Sequence, residues 1–272
     1  MHLASLHIYP VKSLRGLSVE SAEIDALGAV DDRRFMVTDA EGRFATQRTM
    51  AKMARIGAFI EGAELVLRSE GFGEVRIGHP PDPRAALVPV TVWKSEVQAE
   101  DCGAEPSAWL SRVIGAPCKL VRIGPACVRP VQKAAAEPGD LVSFADAAPL
   151  LVTNTGSLAD LNDRILEAGG EAVPMDRFRP NIVVAGAEPF AEDQWKRIRI
   201  GGVVLRSAGP CARCIVTTTD QETGIRGHEP LRTLATFRRN SQDPTYVNFG
   251  QNLVNESKVG ILRVGDSVEI LE

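Results

Sequence analysis

The 272-residue chain lacks a paired cysteine set, an excess of basic charge and any long apolar run. Its five cysteines, Cys102, Cys118, Cys127, Cys211 and Cys214, are odd in number and scattered, which excludes a disulfide framework and leaves free thiols. A net charge of -4 offers no broad attraction for phosphate backbones or anionic lipid, so neither nucleic acid nor a membrane surface is an expected partner. No stretch approaches the roughly 20 apolar residues of a membrane helix. Lys12 and Arg15 follow the short first segment instead of preceding a long apolar one, the wrong order for a secretion signal, and a cytoplasmic location is expected. Also missing are Gly-x-x-x-x-Gly-Lys, Gly-x-Gly-x-x-Gly, His-Glu-x-x-His and Gly-x-Ser-x-Gly, which removes nucleotide hydrolysis, Rossmann dehydrogenation, zincin proteolysis and α/β-hydrolase chemistry from the leading readings.

What is present reads as β-rich. The first third alternates like half-buried strands, at Leu6, Ile8 and Val11, at Phe35 and Val37, and at Leu65 and Leu67, with glycines at turn spacing that suggest a barrel-like unit. A helix is expected from about Glu105 to Ile114, with Trp109, Leu110, Val113 and Ile114 on one face and Gly115 as its stop. The proline-rich stretch 124–140 looks like a connector, dividing the chain into domains 1–122 and 123–272. In the second, Ser157 and Asp160 form a candidate capping box for a helix lined by Leu158, Leu161, Ile165 and Leu166 and closed by Gly169-Gly170. Ile182 to Val184 reads as a buried strand, and Ile198 to Leu205 as a hairpin turning at Gly201-Gly202. The β-branched run from Cys214 to Thr219 reads as a strand, Pro230 opens a helix over Leu231 to Phe237, and Gly260 to Ile270 reads as two strands about a Gly-Asp turn.

Two groups of residues invite chemistry. In Ala208-Gly209-Pro210-Cys211-Ala212-Arg213-Cys214 a turn-rich loop delivers a cysteine, and Arg213 could hold its neighbour as a thiolate, a ligand suited to a soft or high-valent metal. Buried packing of the thiols is the bland alternative. The Cys-x-x-Cys spacing also admits zinc, although no second close pair exists, and dithiol exchange, although the following run argues for a strand over a helix. The second group is basic: Lys12-Ser13, Arg33-Arg34 and Arg177-Phe178-Arg179-Pro180-Asn181. Such donors at strand ends can hold a phosphate or a polar heterocycle, while each alone reads as a solvated charge, so only their convergence would inform.

In order along the chain, Ile8-Tyr9-Pro10-Val11-Lys12-Ser13, Asp32-Arg33-Arg34-Phe35, Glu100-Asp101-Cys102-Gly103, Ser157 to Asn162, Phe178-Arg179-Pro180-Asn181-Ile182-Val183 and Cys211-x-x-Cys214-x-x-Thr217-Thr218 resemble the MOSC family, in the manner of its YcbX-like and amidoxime-reducing members. The resemblance implies a β-rich mixed α+β fold, an N-terminal β-barrel-like domain plus a MOSC β-barrel domain with peripheral helices. It implies a molybdenum-molybdopterin cofactor with Cys214 as metal ligand, Lys12, Ser13 and Arg34 on its phosphate and pterin, Arg179 and Asn181 in its pocket, and Cys211 beside it or purely structural. The activity implied is two-electron oxygen-atom removal from small N-hydroxylated substrates. With no cysteine cluster for an iron–sulfur centre, electrons would come from an external electron-transfer protein, of ferredoxin, flavodoxin or cytochrome type with its reductase. A sulfur-transfer or cofactor-carrier role for Cys214 is the alternative.

Overall fold

The computed structural model describes residues 1–78 and 85–272. Among these, nineteen strands and three α-helices give the expected β-rich mixed α+β class. An eight-stranded sheet runs in the order Val268–Ile270, Arg197–Ile200, Val203–Arg213, Val247–Asn255, Leu150–Asn154, Ile182–Ala185, His2–Ile8, Leu17–Val19. A five-stranded sheet runs Leu87–Val92, Ser95–Asp101, Lys119–Arg122, Phe35–Thr38, Val11–Lys12. Two three-stranded sheets complete the set, one of them joining Gly260–Arg263 to Ser21–Asp25 and Gly28–Ala29.

The cores do not follow the order of the chain. Leu3, Leu6 and Ile8 pack with Leu150, Val184, Leu205 and Leu253 in the core of the large sheet, whereas Val11 and Leu14 pack with Phe35, Leu67, Trp109 and Leu120 in the other. Ala22, Ile24 and Ala29 return to the first core before Phe35 enters the second for good. The chain therefore crosses between the two bodies three times before residue 36. Lys12-Ser13 and Arg33-Arg34 sit at the crossings, which is what brings two basic dipeptides 20 residues apart to one seam.

The helix Ala104–Ile114 buries Trp109, Leu110 and Ile114 and ends where Gly115 takes left-handed φ of 72°, its N–H bonding Ser111 O. The expected hairpin forms, Arg197–Ile200 pairing with Val203 onward about Gly201-Gly202. The helix Leu231–Phe237 opens directly after Pro230.

Several local expectations are corrected. The second helix is Thr155–Glu167, capped by Asn154, whose side chain accepts from Gly156 N at 2.9 Å. Ser157 is buried and bonds both carboxylate oxygens of Glu192 at 2.8 Å, Asp160 pairs with Arg164, and Leu166 is exposed, so no capping box forms. The interior acceptor outcompetes the local one. Gly169 and Gly170 do close the helix, with Gly170 N on Ile165 O at 2.8 Å. The run after Cys214 is not a strand but the 3-10 turn Ile215–Thr218. Thr217 Oγ1 donates to Cys214 O at 2.9 Å and Thr218 Oγ1 to Ile215 O at 2.8 Å, local bonds with which threonine draws a chain out of the ladder. The two C-terminal strands exist, Gly260–Arg263 and Val268–Ile270, but they enter different sheets. Their turn docks instead on the first strand, Gly265 N bonding Leu3 O and Leu3 N bonding Asp266 O.

Glu192 is fully buried, and burial raises its carboxyl above the ordinary value, opposed by the Ser157 bond. Its folded value lies above its unfolded one, so native stability falls as pH rises through that window. Ser157→Ala is therefore expected to lower the unfolding free energy by about 1–3 kcal/mol above the window in which Glu192 titrates and by less below it, where the carboxyl is protonated. Urea titrations on both sides of that window measure this. An equal deficit on the two sides would contradict it.

Candidate active site

A cleft of about 340 Å³ opens along the seam. The crossings supply Lys12, Ser13 and Arg33; the loop after the Phe35–Thr38 strand supplies Thr46 and Arg48; the connector side supplies Lys133 and Ala145 to Ala148; the second body supplies Phe178, Arg179, Asn181 and Cys211 to Cys214, which the sequence placed on a loop but which form the bulged end of the strand Val203–Arg213 and the residue just beyond it. Six cationic side chains, Lys12, Arg33, Arg48, Lys133, Arg179 and Arg213, face one carboxylate among the described residues, Asp146. In a chain of net charge -4 that concentration of positive charge is specific to this place.

Each cation is held differently. Lys12 is buried, donating to Phe144 O at 2.9 Å and to Asp146. Burial pushes its ammonium below the ordinary lysine value, against the pull of Asp146. Burial alone would raise Asp146, but Lys12 and Arg48 outweigh it and hold that carboxyl well below the usual range. Arg129, itself buried, donates to Ser143 O and Ala145 O and so fixes the loop that carries Asp146.

Arg33 Nη1 reaches both oxygens of buried Asp32, at 2.9 and 2.6 Å, and Asn181 Oδ1 at 3.0 Å. Asp32 also accepts from Tyr9 N at 2.9 Å. The guanidinium carbons of Arg33 and Arg179 each lie 4.2 Å from the centroid of the Tyr9 ring, whose hydroxyl donates to Pro180 O at 3.0 Å. Burial moves this group in opposite senses, Tyr9 up to about 12 and Arg179 down to about 10. Arg33 and Arg179 both take positive φ, 50° and 53°, a backbone cost of order 1 kcal/mol or more each that is common at functional sites.

Of the residues expected from the sequence, Lys12, Ser13, Arg179, Asn181 and Cys214 are brought together in the cleft. Arg34 is not. It is buried on the other side of the strand, donating to Asp25 Oδ1 at 2.8 Å and Ala29 O at 3.0 Å, and Arg33 takes the place expected of it. Arg33 ends a turn with left-handed backbone, φ 50°, and that turn sends the two adjacent side chains to different partners, which nothing in the dipeptide reveals. Asn181 lines the cleft but its amide is committed, to Arg33, Leu151 N and His7 O, so it positions Arg33. Arg213 does not serve Cys214 as expected: its Nη1 donates to Cys211 Sγ at 2.8 Å and its Nη2 to Phe178 O at 2.5 Å, leaving its buried Nε without a partner among the described residues.

Arg48 and Trp93 were missed. Arg48 lies 4.5 Å from the Trp93 ring centroid and donates to Asp146 Oδ2 at 3.3 Å. The Thr46-Gln47-Arg48 run was the available signal. Gln47 is fully buried and exchanges amide bonds with Gln221, both at 3.1 Å, tying this loop to the chain just beyond Cys214. Arg177 completes that support, donating to Thr218 O at 3.1 Å and Asp220 Oδ2 at 2.9 Å. Among the described residues no group of three or more His, Cys, Asp and Glu side chains could hold a metal ion.

Residues 1–117 match the MOSC N-terminal beta barrel domain and residues 140–269 the MOSC domain. Mitochondrial amidoxime-reducing component 1 of Mus musculus is 36% identical, covering 99% of this chain and 82% of its own. The same-named protein of Homo sapiens is 34% identical over 99% of this chain and 82% of its own. Molybdenum cofactor sulfurase of Danio rerio is 32% identical over 94% of this chain but only 32% of its own. These names overturn the expected cytoplasmic location, because the full-length relatives are named mitochondrial. Folded surfaces in two aqueous compartments obey the same physics, so composition could not separate them. No helix of the described residues is long and apolar enough to cross a membrane.

Removing Arg33 would leave Asp32 charged and buried. Arg33→Ala is expected to cost about 3 kcal/mol of unfolding free energy in chemical denaturation, and Asp32→Asn combined with it to recover part of that loss.

Proposed function

The chain belongs to the MOSC family, and from that premise we propose that it is a molybdenum-cofactor-dependent reductase of N-hydroxylated compounds, working with an external electron-transfer protein. The observation that carries the reading is the convergence of six cations on a cleft that also bears the Cys214 thiol.

The donor set suits the cofactor. Lys12, Arg33 and Arg179 would take its phosphate and pterin acceptors, with Ser13 beside them, and the unpartnered Arg213 Nε is a further buried donor in want of an acceptor. Cys214 supplies the thiolate, and Asn181 with Tyr9 keeps the two arginines in place. When bound, the cofactor supplies the oxygen-atom abstraction itself. The overall reaction balances as R–NHOH plus two electrons and two protons giving R–NH2 and water. The chain's share is to fix the thiolate and oppose negative charge. Thr217 holds Cys214 O through both its amide, at 3.0 Å, and its hydroxyl, and Arg177 clamps the turn behind it, so the thiol is presented from a braced 3-10 turn. Cys211, bonded by Arg213, shapes the loop. The electron donor we propose is of ferredoxin, flavodoxin or cytochrome type with its reductase.

Sulfur transfer or cofactor carriage by Cys214 remains the second reading, favoured by the names of the sulfurase relatives, of which this chain spans about a third. Turnover separates the two. Protein made in a host that synthesises the cofactor is expected to carry near-stoichiometric molybdenum and pterin and to reduce an amidoxime with a chemical reductant. Cys214→Ala is expected to abolish reduction with the fold intact, and Cys211→Ala to retain part of it. Arg33→Met is expected to cut cofactor content several-fold more than Arg34→Met, measured as metal and oxidised-pterin fluorescence per folded chain. Cofactor transfer to an acceptor without turnover would instead establish the carrier.

A further inference from the structure

Beside the cleft lies a second cavity of about 420 Å³, lined by Phe44, Ala45, Met50, Ile114, Ala116 and Pro117 together with four threonines and Cys118. Thr46 and Trp93 line both spaces and so form the partition. The only charges on its wall among the described residues are Asp39 and Arg43, which pair with each other. A half-open, largely apolar pocket whose two charges pair with each other takes an uncharged apolar group.

The partition is built at a cost. Trp93 is the first residue of the two-residue turn between Leu87–Val92 and Ser95–Asp101, where Val92 pairs with Ser95. Its φ is 57°, at a position where glycine or asparagine is the inexpensive choice. Its indole is pinned on three sides: Nε1 donates to Asp146 Oδ1 at 3.1 Å, Phe44 packs at 5.0 Å between centroids, and Arg48 lies over the ring. A side chain 45% exposed yet so restrained at a strained turn is not placed there by the core.

We propose that this cavity receives the apolar, preferably aryl, body of the N-hydroxylated substrate, with Trp93 as the wall that sets how large a body is accepted. The inference rests on the reductase reading and deepens it. The N–O end would face the cleft and the body would lie against Trp93, Phe44 and Met50. Asp146, which holds both Lys12 and Trp93, ties the anion side of the cleft to the body side through one carboxylate.

The test fills the cavity from a wall residue that does not line the cleft. Ala116 is exposed in the turn after the helix Ala104–Ile114, so Ala116→Trp leaves the fold intact. Cofactor-loaded wild type and variant are assayed with reduced methyl viologen on benzamidoxime and acetamidoxime, which share the reacting group and differ only in the body. The variant is expected to raise KM for benzamidoxime about ten-fold with kcat unchanged, and to leave both constants for acetamidoxime as in the wild type. Equal effects on the two substrates, or none, would overturn the proposal. Failure of the wild type to reduce either amidoxime would instead remove the reductase reading. Binding of the uncharged benzamidoxime to cofactor-free protein, measured by titration calorimetry, tests the cavity without turnover: about ten-fold weaker binding in Ala116→Trp is expected, and unchanged binding would sink the proposal.

Discussion

Asp32 is the point on which the two bodies of this protein are fastened. Its buried carboxylate accepts the Tyr9 amide from one crossing and the Arg33 guanidinium from another, and Arg33 carries the connection on to Asn181 in the second body. Backbone bonds follow the same line, Arg33 N to Tyr9 O at 2.8 Å and Phe35 N to Pro10 O at 3.0 Å. A charge pair buried this way contributes little by its net energy, since desolvation offsets most of the attraction; what it fixes is geometry, because either member left alone is strongly penalised. The placing of Arg33, and of the Tyr9 ring against which Arg33 and Arg179 both lie, depends on that fastening.

Gathering six cations in one cleft works against folding. The structure limits the repulsion by three devices: the Tyr9 ring beside two guanidiniums, the Asp146 carboxylate shared by Lys12 and Arg48, and backbone carbonyls turned inward at Phe144, Phe178 and Arg179. Two of the arginines also accept left-handed backbone to reach their positions. What remains is an excess of positive charge and, on Arg213, one of the four buried arginine Nε atoms without a hydrogen-bond partner among the described residues. The thiol at the edge of the cleft sits where the strand Val203–Arg213 ends, ahead of a 3-10 turn that Thr217, Arg177 and the Gln47–Gln221 exchange brace.

The β-rich class, the helices ending at Gly115 and Gly169-Gly170 and the hairpin at Gly201-Gly202 were legible in the sequence, because periodicity and left-handed caps are local properties. So were the residue types of the cleft, because the soft thiol and the cationic donors are chemistry that a linear string displays. Which partner each ambiguous residue takes was decided only by the folded structure. Arg33 faces the cleft and Arg34 does not; Arg213 serves Cys211 and not Cys214; Ser157 turns inward to Glu192 instead of capping its helix; the threonines after Cys214 close a turn instead of extending a strand. For Arg33 and Ser157 the deciding partner lies 148 and 35 residues away and enters the balance only when the chain has folded, Arg33 meeting Asn181 once the crossings have brought the two bodies together, whereas Arg213 and the threonines settle on partners two and three residues off whose competition with the strand ladder no short window of sequence decides.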